Sequence, residues 1–232
     1  MELLDQTTCD ISQEILFIPI IDVSDSMTGE KITLVNETMN AVPEQLARIN
    51  KSLTDIKLKI APIQFSNDAS WFALNDGKPA EVESFRWVDR EADGQTNFGA
   101  ACQLLLEKLT TTENGGWMKG GCSSAPLIIL ISGGAPTDNY QSALALLKKR
   151  GWFNAALKFA VAVGRDADKS VLAEFVGNPE AIIETETIHI NLATLIRLII
   201  EKACSTVGKA LPNDCLVDIE YLSDLHEDDC IF

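Results

Sequence analysis

The stretch that decides the fold is Ile15-Leu16-Phe17-Ile18-Pro19-Ile20-Ile21, followed at once by Asp22-Val23-Ser24-Asp25-Ser26. The first part is almost unbroken in its apolar character, which is typical of a strand buried on both faces of a parallel sheet. Pro19 is awkward there because it removes one donor from the hydrogen-bond ladder. The second part consists mainly of short polar side chains. A buried strand that ends in an oxygen-rich turn is therefore predicted.

Downstream, apolar patterns of strand length alternate with patterns of helix length. Helices are predicted over 29–52, 97–111, 139–150, 169–175 and 191–206. Further strands are predicted over 57–65, 69–74, 126–131, 157–163 and 181–184. This order predicts an α/β fold, with a doubly wound, mostly parallel sheet flanked by helices and one antiparallel edge strand.

Length and charge limit the possible organisation. The 232 residues fit one α/β domain, predicted over 15–207, with an N-terminal extension of residues 1–14 and an acidic C-terminal tail of residues 208–232. The formal net charge of −15 argues against nucleic acid or an anionic membrane as partner. No apolar run approaches the ~18 residues of a membrane helix, and no signal-peptide pattern is present, so a cytoplasmic protein is expected.

The six cysteines form no CxxC pair, which argues against a zinc cage. In a chain without a secretion signal, reduced thiols are expected rather than disulfides. Cys102 and Cys204 fall within predicted helices and are interpreted as core residues.

Asp22, Ser24 and Ser26 directly follow the first strand, where ligands of a doubly wound sheet bind. One carboxylate and two hydroxyls that converge from a short turn suit a hard cation such as Mg²⁺ better than zinc. Thr96 directly precedes the second predicted helix and can reach the same crevice. Its alternative role is to cap that helix.

Several stretches together resemble the von Willebrand factor A (vWA) family, and within it the bacterial TerY-like branch. They are Ile20-Ile21-Asp22-Val23-Ser24-Asp25-Ser26-Met27, Gly29-Glu30-Lys31-Ile32, Gly94-Gln95-Thr96-Asn97-Phe98-Gly99, Ile131-Ser132-Gly133-Gly134-Ala135-Pro136-Thr137-Asp138 and Ala160-Val161-Ala162-Val163-Gly164. They occur in family order between about residues 15 and 206, so the tail lies outside the resemblance.

The resemblance implies a metal-ion-dependent adhesion site (MIDAS) with Mg²⁺, or alternatively Mn²⁺ or Ca²⁺, as cofactor. In the family, the DxSxS oxygens, a threonine of a second loop and an aspartate of a third loop form this site. The first two contributions map onto Asp22, Ser24, Ser26 and Thr96.

The third contribution falls on Gly133, where the family typically has aspartate. Loss of one carboxylate is expected to weaken or abolish metal binding, because affinity for a hard cation depends on the charge of its ligands. Gly133→Asp is therefore expected to strengthen it. Asp25 and Asp138 are possible substitutes for the missing acid, although Asp138 is more simply interpreted as the cap of the helix that follows it.

The resemblance implies a protein-interaction module rather than an enzyme, in which an acidic group of a partner fills an open position on the metal. The TerY-like branch implies a kinase or phosphatase partner in a bacterial stress system. A metal-free, degenerate vWA scaffold is the alternative. A hydrolase is less well supported, because neither His189 nor His226 is placed to serve Ser24 or Ser26 as a base, and no GxSxG or P-loop motif is present.

Two segments remain open. The acidic tail interleaves carboxylates with large apolar residues, so we expect it to dock on this domain or on a partner; a flexible tail is the alternative. Trp117 lies in a glycine-rich loop over 114–121 and is either a contact residue or an aromatic side chain folded back on the body.

Overall fold

The computed structural model of the chain describes residues 13–53, 55–185 and 191–206. Within them lie the strands β1 (Gln13–Asp22), β2 (Ile56–Ile60), β3 (Ile63–Phe65), β4 (Ala69–Trp71), β5 (Ala80–Glu81), β6 (Leu127–Ser132), β7 (Leu157–Ala162) and β8 (Ile182–Glu184). The helices are α1 (Glu30–Ser52), α2 (Phe98–Lys108), α3 (Tyr140–Leu147), α4 (Gly151–Ala155), α5 (Lys169–Val176) and α6 (Leu192–Thr206).

The centre of the sheet is the parallel pair β1 and β6, in register from Phe17 opposite Leu127 to Ile21 opposite Ile131. The sheet continues in parallel through β7 and β8. All of β6 and the last eight residues of β1 are buried, as expected where helices cover both faces. Helix α1 packs against α6, and α2 against α3. The predicted α/β fold with a mostly parallel sheet is confirmed.

The strand predicted over 57–65 is divided into β2 and β3, which pair in line with successive parts of β1. Between them, the Ala61 amide still donates to the Phe17 carbonyl at 3.0 Å, whereas Pro62 has no N–H to donate. The two registers place Pro62 opposite Pro19. The two prolines, neither of which can donate a backbone hydrogen bond to a neighbouring strand, therefore lie opposite each other at the break between β2 and β3.

Other differences from the predicted elements are local. The antiparallel edge strand is β4, which pairs with β3 and is shorter than predicted. A second antiparallel pairing, between β5 and β2, is only two residues long and leaves no periodicity to detect. The helix predicted over 139–150 ends at Leu147. Beyond it, the amides of Lys149 and Arg150 donate to carbonyls three residues earlier in the chain, instead of the four of an α-helix. Helix α4 then begins at Gly151.

Two expectations about individual side chains are resolved. Cys102 and Cys204 are buried core residues, and burial raises the pKa of the Cys204 thiol to about 11. Trp117 is folded back on the body, with its ring centroid 4.5 Å from that of Trp71.

Among the described residues, no helix is long and apolar enough to cross a membrane. Most of the N-terminal extension, His189 and the whole acidic tail with His226 lie outside the described residues.

Candidate functional site

The site lies where neighbouring strands end at the same edge of the sheet. Because Ile21 pairs with Ile131, the first loop, after Asp22, and the third loop, after Ser132, leave the sheet side by side. The second loop, residues 93–97, is attached to the first by backbone bonds. The Asp93 amide donates to the Val23 carbonyl, and the Asp25 amide donates to the Gly94 carbonyl, both at 2.9 Å.

Three hydroxyl groups meet where these loops converge. The Oγ atoms of Ser24 and Ser26 are 3.0 Å apart, and the Thr96 hydroxyl donates to Ser24 Oγ at 2.9 Å. Ser24 and Thr96 are buried, whereas Ser26 is partly exposed. We call Ser24, Ser26 and Thr96 the hydroxyl cluster. Solvent reaches it from the Ser26 side.

Asp22 lies beneath the hydroxyl cluster and is fully buried. One carboxylate oxygen accepts a hydrogen bond from the Ser24 amide at 2.9 Å, and the other accepts the Ser132 hydroxyl at 2.6 Å. Asp22 therefore fixes the first loop and ties it to the end of β6. Sequence reasoning missed Ser132, although its place as the last residue of the strand beside β1 was a usable signal.

The spacing of the cluster oxygens fits a small hard cation. Mg²⁺ binds six oxygens at roughly 2.0–2.1 Å in an octahedron, which separates adjacent ligand oxygens by about 3 Å. The measured separations within the cluster are 2.9 and 3.0 Å. Within the described part of the chain, Asp22 is the one carboxylate that is hydrogen-bonded to a residue of the cluster, and no group of three or more His, Cys, Asp or Glu there could hold a metal. The donor set fits Mg²⁺ in type and spacing but offers little charge.

The two glycines of the third loop face different surroundings. A Cβ atom on Gly133 would lie 2.7 Å from Met27 Sδ and 2.9 Å from the Val163 carbonyl oxygen. A Cβ atom on Gly134 would overlap the Ser26 hydroxyl oxygen. Gly134, rather than Gly133, therefore packs directly against the hydroxyl cluster. The expected gain in metal binding by Gly133→Asp stays a prediction, and the new side chain must displace these neighbours before its carboxylate can serve as a ligand.

We predict that Gly134→Ala weakens divalent-cation binding at least tenfold, because the methyl group would push the partly exposed Ser26 hydroxyl out of the cluster. Calorimetric titration of Mn²⁺ against the wild-type protein measures the change. Gly120→Ala is the matched control, since a Cβ atom there meets nothing within 4 Å. Equal Mn²⁺ affinities of the Gly134→Ala variant and the wild type would contradict this prediction.

The two proposed substitutes for a third-loop acid are engaged elsewhere. Asp25 accepts the Gly94 amide at 2.9 Å and so holds the second loop. Asp138 accepts the Gly99 amide at 2.8 Å, in the first turn of α2, and its other oxygen is enclosed without a partner in the described residues. Asp138 thus caps α2 rather than the helix that follows it. Thr96 is not that cap, because its hydroxyl donates into the cluster.

Two residues that sequence reasoning missed brace the loops. Thr137 accepts the Thr96 amide at 3.1 Å through its hydroxyl and donates its own amide to the Thr96 carbonyl at 3.0 Å. Lys31 of α1 donates to the Gly133 carbonyl at 3.0 Å and to Asp166 at 2.6 Å. The hydrogen bond from Lys31 holds the pKa of the Asp166 carboxyl below its usual value. Both residues lie in the motif stretches quoted above, but nothing in those stretches assigns them a bracing role.

Comparison with known proteins assigns the chain to a family, and the loops that converge at one edge of the sheet agree with it. The model of the von Willebrand factor type A domain matches residues 16–195. The chain belongs to this family. Domains of the vWA family commonly mediate protein–protein interactions. A search of curated proteins found no match.

Solved vWA structures are similar in fold. A von Willebrand factor type A protein from Catenulispora acidiphila is 18% identical, with a TM-score of 0.59, and the match covers 83% of this chain and 43% of that one. Proximal thread matrix protein 1 from the mussel byssus, with a zinc-occupied MIDAS motif, is 16% identical, with a TM-score of 0.57 over 84% of this chain and 46% of that one. The ArnB paralog VWA2 from Sulfolobus acidocaldarius is 18% identical, with a TM-score of 0.53 and coverages of 82% and 45%. This vWA chain thus spans less than half the length of each of these proteins.

Proposed function

We propose that this vWA domain is a protein-interaction module whose contact surface centres on the hydroxyl cluster. Asp22, Ser24, Ser26 and Thr96 would hold a divalent cation, Mg²⁺ or alternatively Mn²⁺ or Ca²⁺. The observation that carries the proposal is the convergence of three hydroxyl groups from two loops: Ser24 Oγ lies 3.0 Å from Ser26 Oγ and 2.9 Å from Thr96 Oγ1, separations that suit adjacent positions around a small cation as well as hydrogen bonds. When bound, the cation supplies a positive charge that an acidic side chain of the partner protein can meet.

The residues of this chain have distinct parts in that arrangement. Ser24 and Thr96 are held before any ligand arrives, since the Ser24 amide bonds to Asp22 and the Thr96 backbone bonds to Thr137. Ser26 is partly exposed and lies on the side from which a partner approaches. Asp22 supplies the nearest negative charge from beneath. With one carboxylate only, the domain is expected to bind the cation weakly.

We further propose that the partner is a kinase or phosphatase of a bacterial stress system, acting in the cytoplasm, as in the TerY-like branch. The support is the set of motifs around Asp22, Thr96 and Ser132, together with the strongly acidic composition, which disfavours nucleic acid and membrane as partners. The proposed role is not enzymatic. No histidine falls in 13–53, 55–185 or 191–206, so no imidazole of those ranges can activate Ser24 or Ser26 as a nucleophile.

A metal-free scaffold is the second candidate, and one observation favours it. Three carboxylates near the loops, those of Asp25, Asp138 and Asp166, are already engaged, because each binds a backbone amide or the Lys31 ammonium. In a metal-free scaffold, the same loops would contact the partner directly. Interaction with the partner would then be insensitive to chelators.

Titration of Mn²⁺ and Mg²⁺ into Ser24→Ala and Thr96→Ala variants tests the proposed site. Each variant is expected to lose at least tenfold in cation affinity, because each removes one oxygen ligand from a set already short of charge. Ser142→Ala, which removes an exposed hydroxyl on α3, is the control and should bind like the wild type. If Ser24→Ala binds Mn²⁺ as tightly as Ser142→Ala, the cation does not use this cluster. If the wild type binds no cation, the metal-free scaffold is favoured.

A further inference from the structure

Arg90 is held in an aromatic setting on the surface beside α1. Its guanidinium carbon lies 4.5 Å from the ring centroid of Phe72 and 5.5 Å from that of Trp87. Asn36 of α1 fixes the backbone, since its side chain accepts the Arg90 amide and donates to the Arg90 carbonyl, both at 2.9 Å. The same Asn36 oxygen accepts the Trp87 indole N–H at 3.1 Å. The guanidinium is therefore presented by a rigid support.

The Arg90 side chain has no anionic partner within the described part of the chain. Its guanidinium makes no ion pair or hydrogen bond there, and its Nε atom is enclosed without an acceptor. By contrast, lysines such as Lys31, Lys59 and Lys148 are each paired with a carboxylate. Burial also lowers the pKa of Arg90 from its ordinary value. A partly desolvated guanidinium that lacks an acceptor in the described residues can bind a carboxylate at short range, even though the exposed Asp89, Glu91 and Asp93 flank it in the chain and oppose attraction at long range.

Apolar surface accompanies this charge. Val88 is 65% exposed, and Phe72 is partly exposed. We use the name Arg90 patch for four residues: Arg90, the partly exposed Phe72 and the buried Trp87 whose rings it contacts, and the exposed Val88 that follows Trp87 in the chain. A positive guanidinium set among aromatic and aliphatic surfaces is the composition expected of a strong contact point, because it combines directional hydrogen bonds with burial of apolar area. Its complement is a segment that mixes carboxylates with apolar side chains.

The chain itself contains such a segment. Residues 210–232 include no Lys or Arg, and they interleave acids with large apolar side chains: Asp214, Leu216, Val217, Asp218, Ile219, Glu220, Tyr221, Leu222, Asp224 and Leu225. This segment follows α6, which packs against α1, the helix that carries Asn36. Attachment to the same chain gives the segment a high effective concentration at the patch.

We propose that the acidic segment 210–232 docks on the Arg90 patch of its own chain, with a carboxylate on the guanidinium and apolar side chains against Val88 and Phe72. The proposal does not depend on the hydroxyl cluster, which lies at the carboxyl edge of the sheet. It describes a second contact surface, covered by the chain itself. The hydroxyl cluster offers oxygen ligands, whereas the Arg90 patch offers a guanidinium and apolar side chains.

Photo-crosslinking in the full chain tests this. A benzoylphenylalanine is placed at Tyr221, and the crosslinked peptides are mapped by mass spectrometry. We expect an intrachain crosslink to the peptide containing Phe72 or Val88. Arg90→Met, which keeps the aliphatic stem on Phe72, should reduce the crosslink at least tenfold. Arg86→Gln is the matched control and should leave it unchanged, because Arg86 is exposed and donates only to the Glu83 and Phe85 carbonyls.

A second set of variants leaves the folded body untouched. Replacing Asp214, Asp218, Glu220 and Asp224 with their amides should reduce the crosslink as strongly as Arg90→Met does, and raising the salt concentration should weaken it in the otherwise unchanged chain. A crosslink between two copies would overturn the intrachain form. A crosslink mapped elsewhere, no crosslink, or equal yields from the Arg90→Met and Arg86→Gln variants would overturn the proposal altogether.

Discussion

Without divalent cations, Asp22→Ala is expected to be about 2–6 kcal/mol less stable than Asp22→Asn, measured as free energy of unfolding. The fully buried Asp22 accepts hydrogen bonds from the Ser24 amide and the Ser132 hydroxyl. Asparagine has nearly the same shape and can hydrogen-bond to both groups. Alanine leaves both groups buried and unpaired, at about 1–3 kcal/mol for each.

Urea unfolding of the three proteins, with and without Mg²⁺, measures this difference. Without Mg²⁺, the asparagine variant should be at least as stable as the wild type. The wild type buries a carboxylate whose two hydrogen bonds come from uncharged groups, and the asparagine variant avoids the cost of burying that charge. With Mg²⁺, only the wild type should gain stability, by an amount that rises with ligand concentration. Equal stabilities of the alanine and asparagine variants would show that the two hydrogen bonds contribute little.

Gly133→Asp is expected to lower the free energy of unfolding by about 2–3 kcal/mol, the usual cost of forcing extra atoms into a packed site. Its Cβ atom would lie within 3.0 Å of both Met27 Sδ and the Val163 carbonyl oxygen. Met27 is fully buried, so its sulfur has little room to move. The variant with the family's third-loop acid would therefore be the less stable protein.

A double-mutant cycle with Met27→Ala separates crowding from charge. In the Met27→Ala background, Gly133→Asp should lower the free energy of unfolding by at least ~1 kcal/mol less than it does in the wild type, because the two side chains compete for one space. Gly120→Asp is the control and should change stability by less than about 0.5 kcal/mol, as a Cβ atom there meets nothing within 4 Å. Additive effects of Gly133→Asp and Met27→Ala would contradict the proposed competition. Mn²⁺ titration of the double variant then shows whether the added carboxylate reaches the cation.

The sequence was sufficient to predict the order of the longer strands and helices, although not β5 or α4, because buried parallel strands and amphipathic helices leave distinct apolar periods. It also placed Asp22, Ser24 and Ser26 at the end of a strand. Asp22 and Ser132, 110 residues apart, each directly follow a predicted strand, so their proximity could have been inferred, whereas nothing in the sequence pairs Lys31 with Gly133, 102 residues away. The resemblance of the third-loop motif to the family pattern identified Gly133 as the altered position, but the direction of a Cβ atom is a property of the folded loop.

The pairing of β1 with β6 also sets the order in which the chain can fold. During synthesis, β1 leaves the ribosome long before β6 exists, since Asp22 and Ser132 are 110 residues apart. Synthesis at about 5–20 residues per second leaves the apolar β1 without this central neighbour for several seconds. In that interval, β1 is a target for chaperones and for aggregation. The hydrogen bonds that hold the buried Asp22 carboxylate can therefore form in full only after the chain has been made through Ser132.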